Sequence, residues 1–239
     1  MFDEKKIKLF CFPFAGGASS FYHPWRKLLP SFIDLQPYEL PGRGRRIGIE
    51  LCDTIDAVVD DIMSEIRNEF TTDGYALFGH SMGGLIVVEL ARRIKQENLP
   101  MPLLLFISGK GAPNLNVRKA RVQDMDNTAL QNYLMSLGGV SPEFFQNPEL
   151  VNFFLPVIIN DLHLVECYED ASPVPLDVDI ITMFGKNEVW TDEERKGWQQ
   201  YTTGNHQQFT FPGGHFFIKD YFREVTRIIA QMLHHQIMQ

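Results

Sequence analysis

One stretch constrains this chain more than any other: residues 75–94, YALFGHSMGGLIVVELARRI. An apolar run (Tyr75, Ala76, Leu77, Phe78) leads into Gly79-His80-Ser81-Met82-Gly83 and then into an apolar helical pattern. That is strand, sharp turn and helix with a serine at the apex, the setting in which Gly-x-Ser-x-Gly presents a nucleophile. The turn strains the serine backbone, so the neighbours two positions away must be small. Gly79 and Gly83 meet that need, and Gly84 lets helix and strand approach closely. The helix N-terminus aims free N–H groups and its positive dipole end at the place where an oxyanion forms. A bare five-residue match arises often by chance; one framed by an apolar strand and an amphipathic helix does not.

The rest of the chain repeats this alternation. Short apolar segments at 7–12, 32–38, 103–108, 179–184 and 207–211 read as strands. Helical patterns fall at 21–29, from Asp53 or Thr54 to 70, at 191–201, and from Phe216 or Lys219 to 234. In the second of these, Ile55, Val58, Val59, Ile62 and Ile66 share one face. Strands alternating with helices imply crossover units and a mostly parallel sheet flanked by helices. The rhythm breaks between 113 and 175, where helical patterns at 126–137 and 148–168 replace strands. This segment is too apolar for a disordered linker. It is expected to form a helical lid over the C-terminal edge of the sheet, where ligands bind in such folds. The whole of 1–239 is then a single domain with the lid inserted in it.

The bulk composition excludes several classes of protein. With 44% hydrophobic and 22% charged residues, the chain is ordinary for a globular protein. Its net charge of −8 argues against nucleic-acid or membrane binding. Three cysteines (Cys11, Cys52, Cys167) suggest a reducing compartment without a disulfide framework. No secretory leader and no apolar run of about 18 residues is visible, so a free-standing, cytoplasmic, monomeric protein is expected. No metal site and no resident cofactor is expected either.

A serine hydroxyl needs a base, and the base is usually a histidine held by a carboxylate. In this strand–helix arrangement, the α/β-hydrolase fold, the chain order is Ser, acid, His. Of seven histidines, His215 follows the last strand on the turn Pro212-Gly213-Gly214. His80 should face away from Ser81, because successive strand residues point oppositely. His206 lies at the wrong end of the sheet. The acid should follow the strand at 179–184, where the loop reads GKNEVWTD. Glu188 has the offset of a G-x-x-acid loop, Asp192 is an alternative that would otherwise cap the next helix, and Asp161 in the lid is a third. An oxyanion hole needs two fixed N–H donors. Met82 supplies one; Ala15, with Phe14 as its neighbouring alternative, supplies the other from the turn 13–17.

Together, FCFPFAGG (10–17), LPGRG (40–44), FGHSMGG (78–84), LGG (137–139), FFLP with Asp161 five residues on, and GGH (213–215) resemble the type II, or editing, thioesterases associated with nonribosomal peptide and polyketide synthases. The resemblance covers nearly the whole chain. It implies hydrolysis of acyl groups from the phosphopantetheine arm of acyl or peptidyl carrier proteins, with Ser81 as nucleophile, His215 as base, and Met82 and the Ala15 turn as oxyanion donors. The family's usual aspartate is replaced here by Glu188. Lid residues Phe153, Phe154, Leu155 and Ile158 are candidates to line the channel for the arm. Arg43, Arg45, Arg46 and the Arg118-Lys119-Arg121 cluster are candidates for a patch docking an acidic carrier. Two other classes compete: a carboxylesterase or lipase with the same triad, and a non-catalytic binding protein of the same fold.

Overall fold

The computed structural model describes residues 6–115, 121–170 and 173–238. Six strands form one sheet: β1 (Ile7–Phe12), β2 (Ile33–Pro37), β3 (Tyr75–His80), β4 (Leu104–Ser108), β5 (Asp179–Gly185) and β6 (His206–Phe211). The strand order is β2-β1-β3-β4-β5-β6, and every pairing is parallel. The central strands β3 and β4 are buried along their whole length because both faces of the sheet are covered there. Phe10, Phe12, Leu77, Leu105, Ile107 and Ile180 face one side, where α1 (Ile55–Ile66) and α2 (Met82–Gln96) pack. Leu9, Cys11, Ala76, Phe78, Phe106 and Met183 face the other, with Tyr22, Trp25, Ile229 and Leu233.

Local chemistry sets the element ends. Thr54 caps α1 by accepting from the Ala57 N–H at 3.0 Å, and Ile55, Val58, Val59 and Ile62 are buried along the expected face. The helix stops at Ile66, with a 3-10 turn at Arg67–Glu69 finishing the segment. The expected helix at 21–29 is a 3-10 helix, Ser19–Lys27, with Pro24 inside it.

Between β4 and β5 lie α3 (Asn127–Leu137), α4 (Pro142–Phe145) and α5 (Pro148–Cys167). Asp126 caps α3, Gly138 ends it in the left-handed region at φ 77°, and Asn147 caps α5. These helices hold their own apolar cluster, Val122, Leu130, Leu134, Ile158 and Leu162. By length and composition α5 would pass as a membrane span, which the sequence patterning did not suggest. Here its second half docks on protein: Val157, Ile158, Asp161, Leu162 and Leu164 are buried, all beyond Pro156. Before Pro156, Leu150, Phe153 and Phe154 are exposed.

After β5 come α6 (Asp192–Lys196), a 3-10 turn Gly197–Tyr201, then β6, α7 (Phe217–Asp220) and α8 (Phe222–Ile237). Thr191 and Glu194 form a capping box at the start of α6.

Candidate active site

The site gathers at the C-terminal ends of the strands, where open α/β sheets bind ligands. Ser81 stands between β3 and α2 with φ 57° and ψ −113°, one of two non-glycine residues with positive φ among those described. A serine at a helix start normally spends its hydroxyl on a backbone cap. Ser81 makes no such bond, so its Oγ is left for chemistry. Its own N–H donates to the Ser108 carbonyl at 2.7 Å, which ties the elbow to the end of β4. The glycines are required by contact: a Cβ on Gly79 would lie 1.9 Å from the Gly83 carbonyl oxygen, and one on Gly83 would lie 2.2 Å from that of Phe12.

The loop after β5 and the loop after β6 are joined directly. Lys186 and Asn187 donate their N–H groups to Phe211 and Gly213 at 2.7 and 2.9 Å. A Cβ on Gly185 would meet the Gly214 carbonyl oxygen at 2.2 Å. Across this seam Glu188 Oε1 lies 2.6 Å from His215 Nδ1, and Oε2 accepts from the Gly185 N–H at 2.7 Å. The carboxylate is 1% exposed and the imidazole 21%. With Nδ1 engaged, Nε2 is the ring nitrogen left for a reaction. Arg195, at the far side of the acid loop, donates to the carbonyls of Trp190, Gly185 and Glu188. Sequence reasoning did not single it out; its partners are carbonyls, which leave no signature in residue type.

The two alternative acids lie elsewhere. Asp192 is exposed in the first turn of α6, and Thr191, not Asp192, caps that helix. Asp161 is buried in a bidentate pair with Arg43, Nη1 to Oδ2 at 2.5 Å and Nη2 to Oδ1 at 2.8 Å, and also accepts from the Gly16 N–H at 2.7 Å. The same guanidinium donates to the Gly17 carbonyl at 3.1 Å. Asp161 therefore fastens helix α5 to the turn after β1, and Arg43 is a buried partner, not part of a docking surface. Arg46 is likewise bound bidentately to Asp61. Arg45 and Arg121 are exposed; Arg118 and Lys119 lie outside the described residues.

Within the turn 13–17 the Gly16 amide is taken by Asp161 and the Gly17 amide by the Phe14 carbonyl. The amides of Ala15 and Met82 donate to no protein acceptor among the described residues. Ser81, His215, Phe14, Ala15 and Gly16 line one cavity of about 260 Å³ together with Leu134 and Leu137 of α3, Phe144 of α4, and Phe154, Ile158 and Leu162 of α5. Of the expected channel residues, Phe154 and Ile158 reach this cavity, Leu155 packs in the lid cluster and Phe153 is exposed. Among the described residues no hydrogen bond joins Ser81 Oγ to His215; bonds of this kind tighten as substrate binds.

His80, expected to face away from Ser81, is buried among groups close to the site. Its ring lies 5.0 Å from that of His215, and its Nδ1 is 2.9 Å from Ser108 Oγ. Burial, and then the neighbouring charges of His215 and Lys219, push its pKa well below the ordinary histidine range. A neutral His80 thus forms the floor under His215. His206 is the first residue of β6 and contacts Thr182, at the opposite end of the sheet from His215.

A parallel sheet with a strained serine between strand and helix, and an acid–histidine pair on the last two strand ends, defines an α/β-hydrolase fold. The chain belongs to the thioesterase domain family, whose family model matches residues 7–236. The crystal structure of ClbQ from the colibactin NRPS/PKS pathway superposes with a TM-score of 0.90 at 32% identity, covering 98% of this chain and 99% of that one. YbtT, the type II thioesterase of the yersiniabactin NRPS/PKS pathway, gives a TM-score of 0.87 at 27% identity over 98% and 95% of the two chains. The human medium-chain S-acyl fatty acid synthase thioesterase is 30% identical over 91% of this chain and 83% of its own. The type II thioesterase resemblance read from the motifs holds across the whole fold, and the protein is a thioesterase.

Proposed function

We propose that this enzyme clears acyl groups from the phosphopantetheine arm of carrier proteins on a nonribosomal peptide or polyketide synthase, acting as a monomer in the cytoplasm with no resident cofactor. The observation that carries the proposal is the His215–Glu188 pair opening, with Ser81, onto one apolar cavity under the lid. Support also comes from relatives whose names place them in NRPS/PKS pathways or with S-acyl fatty acid synthase.

In the mechanism proposed, Ser81 Oγ attacks the thioester carbonyl while His215 Nε2 takes its proton. Glu188 fixes the tautomer and stabilises the imidazolium. The carbonyl oxygen, now anionic, is held by the N–H groups of Met82 and Ala15. Collapse breaks the C–S bond, and His215 returns its proton to the departing thiol. A thiolate leaves readily, so this step demands little acid catalysis. Water, activated by His215 Nε2, then attacks the acyl-serine ester; collapse frees the carboxylic acid and returns the proton to Ser81.

The test is turnover of acyl-loaded carrier proteins against simple esters, with Ser81→Ala alongside. Carrier-thioester hydrolysis lost in the Ser81→Ala variant is expected. Ester cleavage without carrier-thioester turnover would instead make it a carboxylesterase, and serine-probe labelling no stronger than that of Ser81→Ala would make it a binding protein.

A further inference from the structure

The turn that carries the Ala15 amide is gripped by side chains at three points after it leaves β1. Asp161 of α5 takes the Gly16 N–H at 2.7 Å, and Arg43 donates to the Gly17 carbonyl at 3.1 Å. The third point is Ser19, where the 3-10 helix Ser19–Lys27 begins. Glu39, on the loop after β2, accepts from the Ser19 N–H at 2.9 Å through Oε1 and from the Ser19 hydroxyl at 2.8 Å through Oε2. Glu39 is only 5% exposed and forms no ion pair among the described residues. A buried carboxylate without a cation is costly unless hydrogen bonds meet it, and here a single residue of the turn supplies both. Ala18, just before the helix, has no side chain that could cap it. Glu39 does so from another loop, at the helix end whose dipole favours an anion. The fold makes room for it, since a Cβ on Gly44 would clash with Glu39 Oε2. Its backbone is fixed in turn: Arg46, bound to Asp61 of α1, donates to the Glu39 carbonyl at 3.2 Å.

We propose that Glu39 is a positioning residue for the oxyanion hole, fixing the Ala15 N–H through Ser19. This rests on the thioesterase mechanism above, in which Ala15 and Met82 hold the oxyanion. The two donors differ in how they are supported. Met82 is the first residue of α2, and the close contact of Gly83 with the Phe12 carbonyl sets its place against β1. Ala15 lies in an irregular turn, so its place depends on what grips the chain on either side. On the near side β1 holds it as far as Phe12. On the far side Asp161 and Arg43 act as one unit, each being the other's partner, and that unit includes α5. The bonds from Glu39 are independent of the helical insertion and tie the turn to the loop after β2. Glu39 does not line the cavity, so it acts through Ser19 and not on the substrate. A donor displaced by a fraction of an ångström gives up stabilisation that is realised only when the carbonyl oxygen becomes anionic. The loss therefore falls on kcat and leaves KM in place.

The experiment measures kcat and KM on an acyl-pantetheine thioester together with inhibition by two probes. An alkylboronic acid forms a tetrahedral adduct on Ser81 that places an oxygen where the oxyanion would be. An S-alkyl pantetheine thioether has no carbonyl and reports ground-state binding alone. Glu39→Ala is expected to lower kcat and boronate affinity together by about thirtyfold, with KM and thioether affinity within about twofold of wild type. Glu39→Gln keeps an acceptor for the Ser19 N–H and should restore kcat to within about threefold of wild type. Ser19→Ala removes one of the two bonds and should lower kcat and boronate affinity together by about fivefold; it carries the test should Glu39→Ala not fold. A lower melting temperature with kcat unchanged, or a fall in kcat with boronate affinity unchanged, would overturn the inference and leave the thioesterase mechanism standing. Wild type no faster than Ser81→Ala would instead overturn that mechanism, and the inference with it.

Discussion

Glu188 stands where the motif resemblance leads one to expect an aspartate, and its geometry shows how the longer side chain is accommodated. The extra methylene folds back over its own loop, so one oxygen meets His215 while the other bonds the Gly185 amide. Glu188→Asp shortens the reach by roughly 1.5 Å, so one of the two bonds must be given up. A fall in kcat of about tenfold with KM near wild type is expected. Glu188→Gln keeps the shape but offers His215 an amide in place of a carboxylate, and kcat should fall about ten-thousandfold, the size seen when a triad acid is made neutral. Steady-state kinetics on an acyl-pantetheine thioester separates the two, and a Glu188→Gln variant within twofold of wild type would remove Glu188 from the triad. The proposed triad of Ser81, Glu188 and His215 could be named from the chain because each follows a strand and the fold fixes the order of nucleophile, acid and base. The floor beneath His215 could not: alternation says that His80 turns away from Ser81, but not that β4 and the last loop bring His215 over the same spot.

Among the elements, the Asp161–Arg43 pair decides how the helical insertion is attached. It joins α5, the turn after β1 and the loop after β2 in one buried contact. Neither residue's part in it could be read from the chain: Asp161 looks like a spare catalytic acid and Arg43 like a surface cation. Only their placement 118 positions apart in sequence yet 2.5 Å apart in space reveals the pairing. Removing one member leaves a buried charge alone. Asp161→Ala is therefore expected to cost about 3–5 kcal/mol in denaturant unfolding. The double variant Asp161→Leu, Arg43→Met removes both charges and should recover most of that loss. If the single variant costs no more than an exposed pair, about 0–1 kcal/mol, the anchor is not structural. By contrast, α1, α3 and α5 were readable in outline because spacing and caps act locally. The 3-10 character of Ser19–Lys27 and the short α4 were not, since packing against neighbours decides them.

For the whole molecule, two apolar clusters grip the two faces of the sheet and a third lies in the helical insertion between β4 and β5. We propose that this division lets the helical insertion open as a lid at a cost well below that of global unfolding. Ile229 belongs to a sheet cluster and Leu130 to the lid cluster, and both are buried. Ile229→Ala should lower global stability by about 2–5 kcal/mol. Leu130→Ala should move the global midpoint far less, while speeding hydrogen exchange in α3 and α5 and raising KM. Equal losses of global stability in the two variants would show the lid to be one cooperative unit with the sheet. The insertion's place in the chain is readable as a gap in the alternation of strands; that its helices share an apolar cluster of their own is visible only in the structure.

The contact between Gly83 and the Phe12 carbonyl has a consequence for tolerance. The two amides proposed to hold the oxyanion come from opposite sides of this joint, Ala15 just beyond the end of β1 and Met82 at the head of α2. Their spacing is set by how closely strand and helix meet, and a glycine is a spacer of zero thickness. Any side chain at position 83 would act as a shim, pushing the Phe12 carbonyl, 2.2 Å from where its Cβ would sit, and with it the Ala15 turn away from Met82. The dimension on which the reaction depends is held by the absence of an atom, so it cannot be adjusted in small steps at that position.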